Sequence, residues 1–182
     1  MAQYIAFLRA INVGGHVVKM ETLRDLFSAL GFKNVETFIA SGNVVFESRT
    51  SPTAQLEKKI EASLEAALGY PVATFLRTHS ELQSIAAHQP FSPEAMKEAR
   101  TQAVGFLTTP LSPAAVKSLM SLKTDLDDFH VNGRELYWCS RAKQSESTFS
   151  NRVCERAIQC QTTFRNRNTV ARLAAKYPHG KR

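Results

Sequence analysis

The stretch Val35-Glu36-Thr37-Phe38-Ile39-Ala40-Ser41-Gly42-Asn43-Val44-Val45-Phe46-Glu47 reads as two strands, 35–40 and 44–47. They are joined at Ser41-Gly42-Asn43, a short turn that uses the free φ of glycine. Toward the N-terminus, Met20, Leu23, Leu26, Phe27 and Leu30 form one helical stripe, and Gly31 stands where a left-handed residue closes a helix. Ahead of it, residues 3–8 (QYIAFL) are an apolar run of strand length. Toward the C-terminus, Ser51-Pro52 opens a helix as N-cap and first-turn proline. Its stripe is Leu56, Ile60, Leu64, Ala67 and Leu68, and Gly69 ends it. A strand over 71–77 follows. The order β-α-β-β-α-β over residues 1–78 defines a split-βαβ, ferredoxin-like subdomain within an α+β chain.

Beyond it, Thr78-His79-Ser80-Glu81 has capping-box spacing and starts a helix over Leu82, Ile85 and Ala86. Gln89-Pro90 and Ser92-Pro93 then interrupt the pattern, so residues 79–100 read as a helix and a connection. Residues 101–182 read as a second α+β subdomain. It has strands over 103–107, 128–131 and 135–139, a helix over 113–122, a turn at Asn132-Gly133, and two basic helices near 149–159 and 169–176. This order echoes the first half without its closing strand and without a residue-level repeat. The first strand is apolar on both alternating sets, Tyr4/Ala6/Leu8 and Ile5/Phe7, so the sheet face away from the helices is expected to be covered by the second half. That argues against an RNA-recognition sheet, which displays stacking aromatics.

Composition agrees with a folded chain: 43% of the 182 residues are hydrophobic and 21% charged. There is no apolar run of roughly 18 residues and no basic leader segment, so a spanning helix, a signal peptide and a membrane partner are not expected. Cys139, Cys154 and Cys160 form no CxxC, which fits a reducing cytoplasm. The net charge of +7 is uneven: residues 1–90 are balanced, residues 91–133 carry −1, and the last 49 carry +8. Such a segment concentrates anions, or is a solvated helical face.

Two loops are expected to meet at one sheet edge, about 10 Å apart across an intervening strand. The first holds Arg9, Asn12, Gly14, Gly15 and His16, and the second Ser41, Gly42 and Asn43. Paired glycines turn backbone N–H groups toward a ligand, asparagine and serine offer donors and acceptors, and arginine offers a fork suited to phosphate or carboxylate. The same residues also serve as ordinary turn formers. In the second half, Asn166 or Asn168 can cap the last helix, with Arg165 and Arg167 at its start, and Asn151 lies within the helix expected near 149–159. Asn151, Arg165, Asn166 and Asn168 are expected to join the Arg9–Asn43 cluster in one composite site, or else to lock the halves together. The five histidines and three cysteines show no metal-ligand spacing, and no motif nominates a catalytic group or cofactor.

Arg9-Ala10-Ile11-Asn12-Val13-Gly14-Gly15 together with Ile39-Ala40-Ser41-Gly42-Asn43-Val44-Val45-Phe46 resembles the bacterial family called domain of unknown function 1697. The likeness continues through Phe149-Ser150-Asn151 and Arg165-Asn166-Arg167-Asn168-Thr169-Val170. The resemblance implies an α+β protein of two subdomains, the first ferredoxin-like, and brings no activity. This chain departs from the family where Arg167 replaces the usual Trp and Thr148 the frequent Lys. The leading expectation is a cytoplasmic binding protein for a phosphate-bearing small molecule or nucleic acid. The alternatives are a small-molecule enzyme using Arg9, Asn12, Ser41 and His16, and an interaction module whose basic C-terminal face grips an acidic protein.

Overall fold

The apolar run at the N-terminus forms β1 (Ala2–Leu8), buried on both faces from Tyr4 onward. The stripe from Met20 becomes α1 (Met20–Ala29), with Gly31 beyond it at φ 85. β2 (Lys33–Thr37) and β3 (Asn43–Ser48) follow, then α2 (Thr53–Leu68), closed by left-handed Gly69, and β4 (Thr74–Thr78). The computed structural model describes residues 1–12, 14–49 and 52–177; Val13, the expected N-cap Ser51, His179 and Lys181-Arg182 lie outside them. The strands pair antiparallel in the order β2-β3-β1-β4. Tyr4, Ala6 and Leu8 pack with Leu23, Phe27, Leu56, Ile60 and Phe46 into one core. Ile5, Phe7, Val45 and Phe75 on the opposite face are buried as well.

Edge strand β4 is protected by carboxylates rather than by another strand. Its outward N–H groups at Thr74, Leu76 and Thr78 donate to Glu61, Glu57 and Glu81 at 2.9, 2.9 and 2.7 Å. An unpaired edge is a template for aggregation, and these bonds close it. The Thr78/Glu81 pair is the capping box read from the sequence, with the Glu81 N–H returning to Thr78 Oγ1. It starts α3 (His79–Ala87).

The second sheet holds β5 (Thr101–Phe106), β6 (Asp127–Asn132), β7 (Glu135–Ser140) and β8 (Thr163–Asn166), ordered β6-β7-β5-β8. Its helices are α4 (Pro93–Glu98), α5 (Pro113–Met120), α6 (Asn151–Ile158) and α7 (Arg167–Lys176). Leu107, Leu119, Leu136, Trp138, Phe149, Cys154 and Ile158 form its core. Two expectations are corrected here. Residues 88–100 are not merely a connection: Ser92 accepts the Ala95 N–H and Pro93 starts α4, as Ser112 and Pro113 do for α5. The second half also has its closing strand, β8, which four polar-rich residues do not announce. The chain forms two compact units, Met1–Gln83 with the chain from Leu173 onward, and Ser84–Arg172. Among the described residues no helix is long and apolar enough to cross a membrane.

The repeat between the two units reaches individual residues, which corrects the reading of an echo in architecture alone. Tyr4 stands between Phe46 and Thr78; Ala103 stands between Trp138 and Asn166. Thr78 and Asn166 each end a closing strand and accept an N–H of the helix that follows. Counting along the register makes Arg77 the counterpart of Arg165 and Ser48 that of Ser140, with Arg49 and Arg141 next in each chain. Both Arg77 and Arg165 are buried, and each Nη1 donates to the carbonyl of the preceding residue. Glu61 and Glu155 match too, each accepting the N–H just before or at the start of its closing strand, Thr74 and Thr162, at 2.9 Å.

Candidate functional site

The N-terminal loops meet at one edge. Asn12 Nδ2 donates to the Ala40 carbonyl at 2.9 Å, and Asn12 Oδ1 accepts the Val18 N–H at 2.8 Å. The Leu8 N–H donates to the Gly42 carbonyl, and the Arg9 N–H to that of Ala73. Asn43 is fully buried; its Nδ2 donates to the Phe38 carbonyl and to Ser41 Oγ, at 2.9 and 2.8 Å. These bonds end the preceding strand at Thr37, three residues short of the expected 40, and make 38–42 a five-residue loop. Asn12, Ser41 and Asn43 therefore hold the loops to each other and to themselves. Gly14 and Gly15 are exposed at φ 68 and 88, and the adjacent His16 stacks on Tyr70 with ring centroids 3.9 Å apart.

Left-handed backbone recurs here at non-glycine residues, at Ala10 (φ 55) and Ile39 (φ 51). A β-branched side chain crowds its own backbone in that region, at about 1–2 kcal/mol for an L residue. Ile39 is 43% exposed, so little burial is lost on replacing it. Ile39→Asn is expected to raise the unfolding free energy by about 1 kcal/mol, because asparagine tolerates this conformation. Urea denaturation of both chains measures it.

In the second unit, register and helix start place a different group together. Strands β5 and β8 run antiparallel with Ala103 opposite Asn166, so residues before β5 and after β8 share an edge. A cleft of about 420 Å³ opens there, lined by Arg100, Gln102, Asn166, Arg167 and Asn168, with Ala99 and Ala171. It lies at the N-terminus of the ten-residue α7, whose free N–H groups carry partial positive charge. Asn166 Oδ1 accepts the Asn168 N–H at 2.8 Å, and Gln102 Nε2 donates to the Met96 carbonyl at 3.1 Å. No carboxylate among the described residues lines this cleft. Among the described residues neither Arg100 nor Arg167 forms an ion pair.

Of the expected residues in this half, Asn166 and Asn168 line the cleft. Arg165 precedes Asn166 in a strand, so it points to the opposite face. It is buried, its Nη1 donates to Thr163 Oγ1 and the Phe164 carbonyl, and burial pulls its pKa down to about 10. Asn151 is the first residue of α6, behind the N-cap Ser150, and its buried Oδ1 has no hydrogen-bond partner. Arg100 and Gln102 were missed in the sequence because only recognition of β8 brings them beside Asn166. Arg167 also lines the cleft. Among the described residues no three His, Cys, Asp or Glu side chains gather to hold a metal ion.

Comparison with known proteins gives kinship and fold. The profile of DUF1697, described as a protein of unknown function, matches residues 1–137. The solved structure of the conserved bacterial protein SP0830 from Streptococcus pneumoniae is similar at a TM-score of 0.79 and 23% sequence identity. The alignment covers 97% of this chain and 98% of that one. No curated protein matches the chain.

Proposed function

The chain belongs to the DUF1697 family of proteins of unknown function, and within it we propose that this member binds a phosphate-bearing ligand through the cleft at the start of α7. The observation that carries this reading is the presence together of Arg100 and Arg167, two guanidinium groups that, among the described residues, have no ion-pair partner and share a cleft with no carboxylate. Arginine presents a planar fork of donors that matches phosphate oxygens, and a helix N-terminus adds N–H groups of the same polarity. Asn168 contributes side-chain amide donors at the rim. The +8 charge of the last 49 residues raises the local concentration of such a ligand without selecting it.

The test is titration with inorganic phosphate, a nucleoside monophosphate and a short RNA across a salt series. Arg100→Ala and Arg167→Ala are each expected to weaken binding about tenfold, the loss of one charge-assisted hydrogen bond. Their melting temperatures stay close to that of the parent, because Arg100 is exposed, Arg167 only half-buried, and neither has an ion pair among the described residues to lose. A steep salt slope with RNA alone identifies a nucleic-acid ligand. Unchanged affinity in both variants sinks the assignment. The readings as a small-molecule enzyme or a docking module for an acidic protein then take its place.

A further inference from the structure

The internal repeat allows one cleft of the first unit to be compared with its counterpart in the second. In the second unit a cleft of about 400 Å³ opens beside the start of β6 and the end of β7, lined by Glu98, Lys123, Asp125, Asp128 and Arg141 among others. Both of its cations are paired by carboxylates of the same cleft. Lys123 pairs with Asp128 at 2.6 Å, Arg141 pairs with Glu98 at 3.5 Å, and Arg141 also donates to the Asp125 carbonyl.

The first unit has a cleft of about 350 Å³ at the corresponding edge, beside the start of β2 and the end of β3. Lys33 lies opposite Glu47 as Asp128 lies opposite Cys139, and Arg49 follows Ser48 as Arg141 follows Ser140. The cleft is lined by Lys33, Arg49 and Lys59 with Gly31, Phe32 and Ser48, and among the described residues by no carboxylate. Where the second unit has the acid Asp128, this one has the base Lys33. Among the described residues none of the three cations has an ion-pair partner, although Glu47 stands across the strand from Lys33. Lys59 is held in place: its Nζ donates to the Leu30 carbonyl at 2.9 Å and lies 5.4 Å from the Phe32 ring centroid. That bond engages the carbonyl end of α1, which would otherwise repel an anion.

We propose that this cleft is an anion site for a compact ligand carrying at least two negative charges, of the diphosphate kind. In the second unit the counter-charges come from the chain; in the first they have to come from outside it. Three like charges converging on one concavity focus the field there and favour a multiply charged anion over a singly charged one. The Arg49 fork suits two phosphate oxygens, and the lysines act as point charges at either side. The small volume favours a free diphosphate over a nucleic-acid strand. This site is separate from the cleft at α7 and does not depend on it.

The experiment is titration of the full ¹⁵N-labelled chain with inorganic pyrophosphate, read by amide shifts and by calorimetry. Shifts are expected at Gly31, Lys33 and Arg49. Lys33→Ala and Arg49→Ala should each weaken binding about tenfold. Lys33→Asp, which installs the acid found at the equivalent position of the second unit, should abolish it. All three exposed substitutions should leave the ligand-free melting temperature within a degree or two. Arg100→Ala/Arg167→Ala should leave these shifts intact, so failure here and failure at the α7 cleft are told apart. The proposal is overturned if pyrophosphate shifts only residues near Arg100 and Arg167, or if Lys33→Asp binds it as the parent does. It is equally overturned if RNA moves these amides and pyrophosphate does not.

Discussion

Asp127→Ala is expected to lower the unfolding free energy by about 3 kcal/mol, a loss at the high end for one side chain. Asp127 is 4% exposed and organises the interior of the second unit. Its Oδ1 accepts Trp138 Nε1 at 2.9 Å and Ser147 Oγ at 3.1 Å, and its Oδ2 accepts Thr124 Oγ1 at 3.1 Å. Alanine removes both acceptor oxygens and with them all three bonds, and leaves the Trp138 indole N–H, itself buried, without its partner. Trp138 is the chain's one tryptophan, so its fluorescence during urea unfolding reports on this network directly.

The same carboxylate makes the effect depend on pH. Burial pushes its pKa up, but hydrogen bonds from Trp138, Ser140, Ser147 and Thr124 outweigh burial and hold it below the ordinary value. A depressed native pKa means the unfolded chain takes up the proton first. The stabilisation is therefore complete above the unfolded value near 3.9 and is lost as pH falls through the lower native value. The gap between parent and Asp127→Ala should be constant from neutral pH to about pH 5 and narrow below about pH 4. A gap that widens with acid would contradict the hydrogen-bond account.

Gly42→Ala is the second large expected loss, at about 3 kcal/mol. Two costs add. Gly42 has φ 73, which disfavours any Cβ, and the Cβ of alanine would lie 2.6 Å from Ile11 Cγ2 and 3.2 Å from Leu8 Cβ. Backbone cannot yield easily, since the Leu8 N–H donates to the Gly42 carbonyl. Gly14→Ala isolates the first cost, because Gly14 has φ 68 and, among the described residues, nothing within 4 Å of an added Cβ. It should lose only about 1–2 kcal/mol. Ile11→Ala in the Gly42→Ala background should recover part of the difference, and a double-mutant cycle by urea denaturation measures the coupling. Equal losses at positions 14 and 42 would show that close packing between the loops contributes nothing.

Local chemistry accounts for the elements that could be read in advance. The stripe from Met20 to Leu30 with Gly31 behind it, the helix ending at Gly69, and the Thr78/Glu81 box all act within a few residues, so sequence alone determined them. The meeting of the Asn12 and Ser41 loops also followed from strand order, which alternating direction imposes once β-α-β-β is recognised. What those side chains do was left open between a ligand pocket and a lock. Only the tertiary structure decided that Asn43 is buried on its own loop and that Asn12 spans both.

The closing strand β8 was illegible for a related reason. Thr163-Phe164-Arg165-Asn166 has neither the length nor the apolar alternation of a strand, and its extended form comes from pairing with β5 some sixty residues earlier. Thr162 Oγ1 donating to the Phe106 carbonyl and Glu155 accepting the Thr162 N–H fix its start, and neither partner is a sequence neighbour. With β8 hidden, the company of Arg100, Gln102 and Asn166 was hidden too. So was the repeat, because Arg77 and Arg165 correspond through register, with too few matching residues around them to show it in the sequence. Helix stripes and caps are short-range and write themselves into the chain; edge pairing, cleft membership and the sign of charge at equivalent corners depend on contacts that exist only after the strands have found their partners.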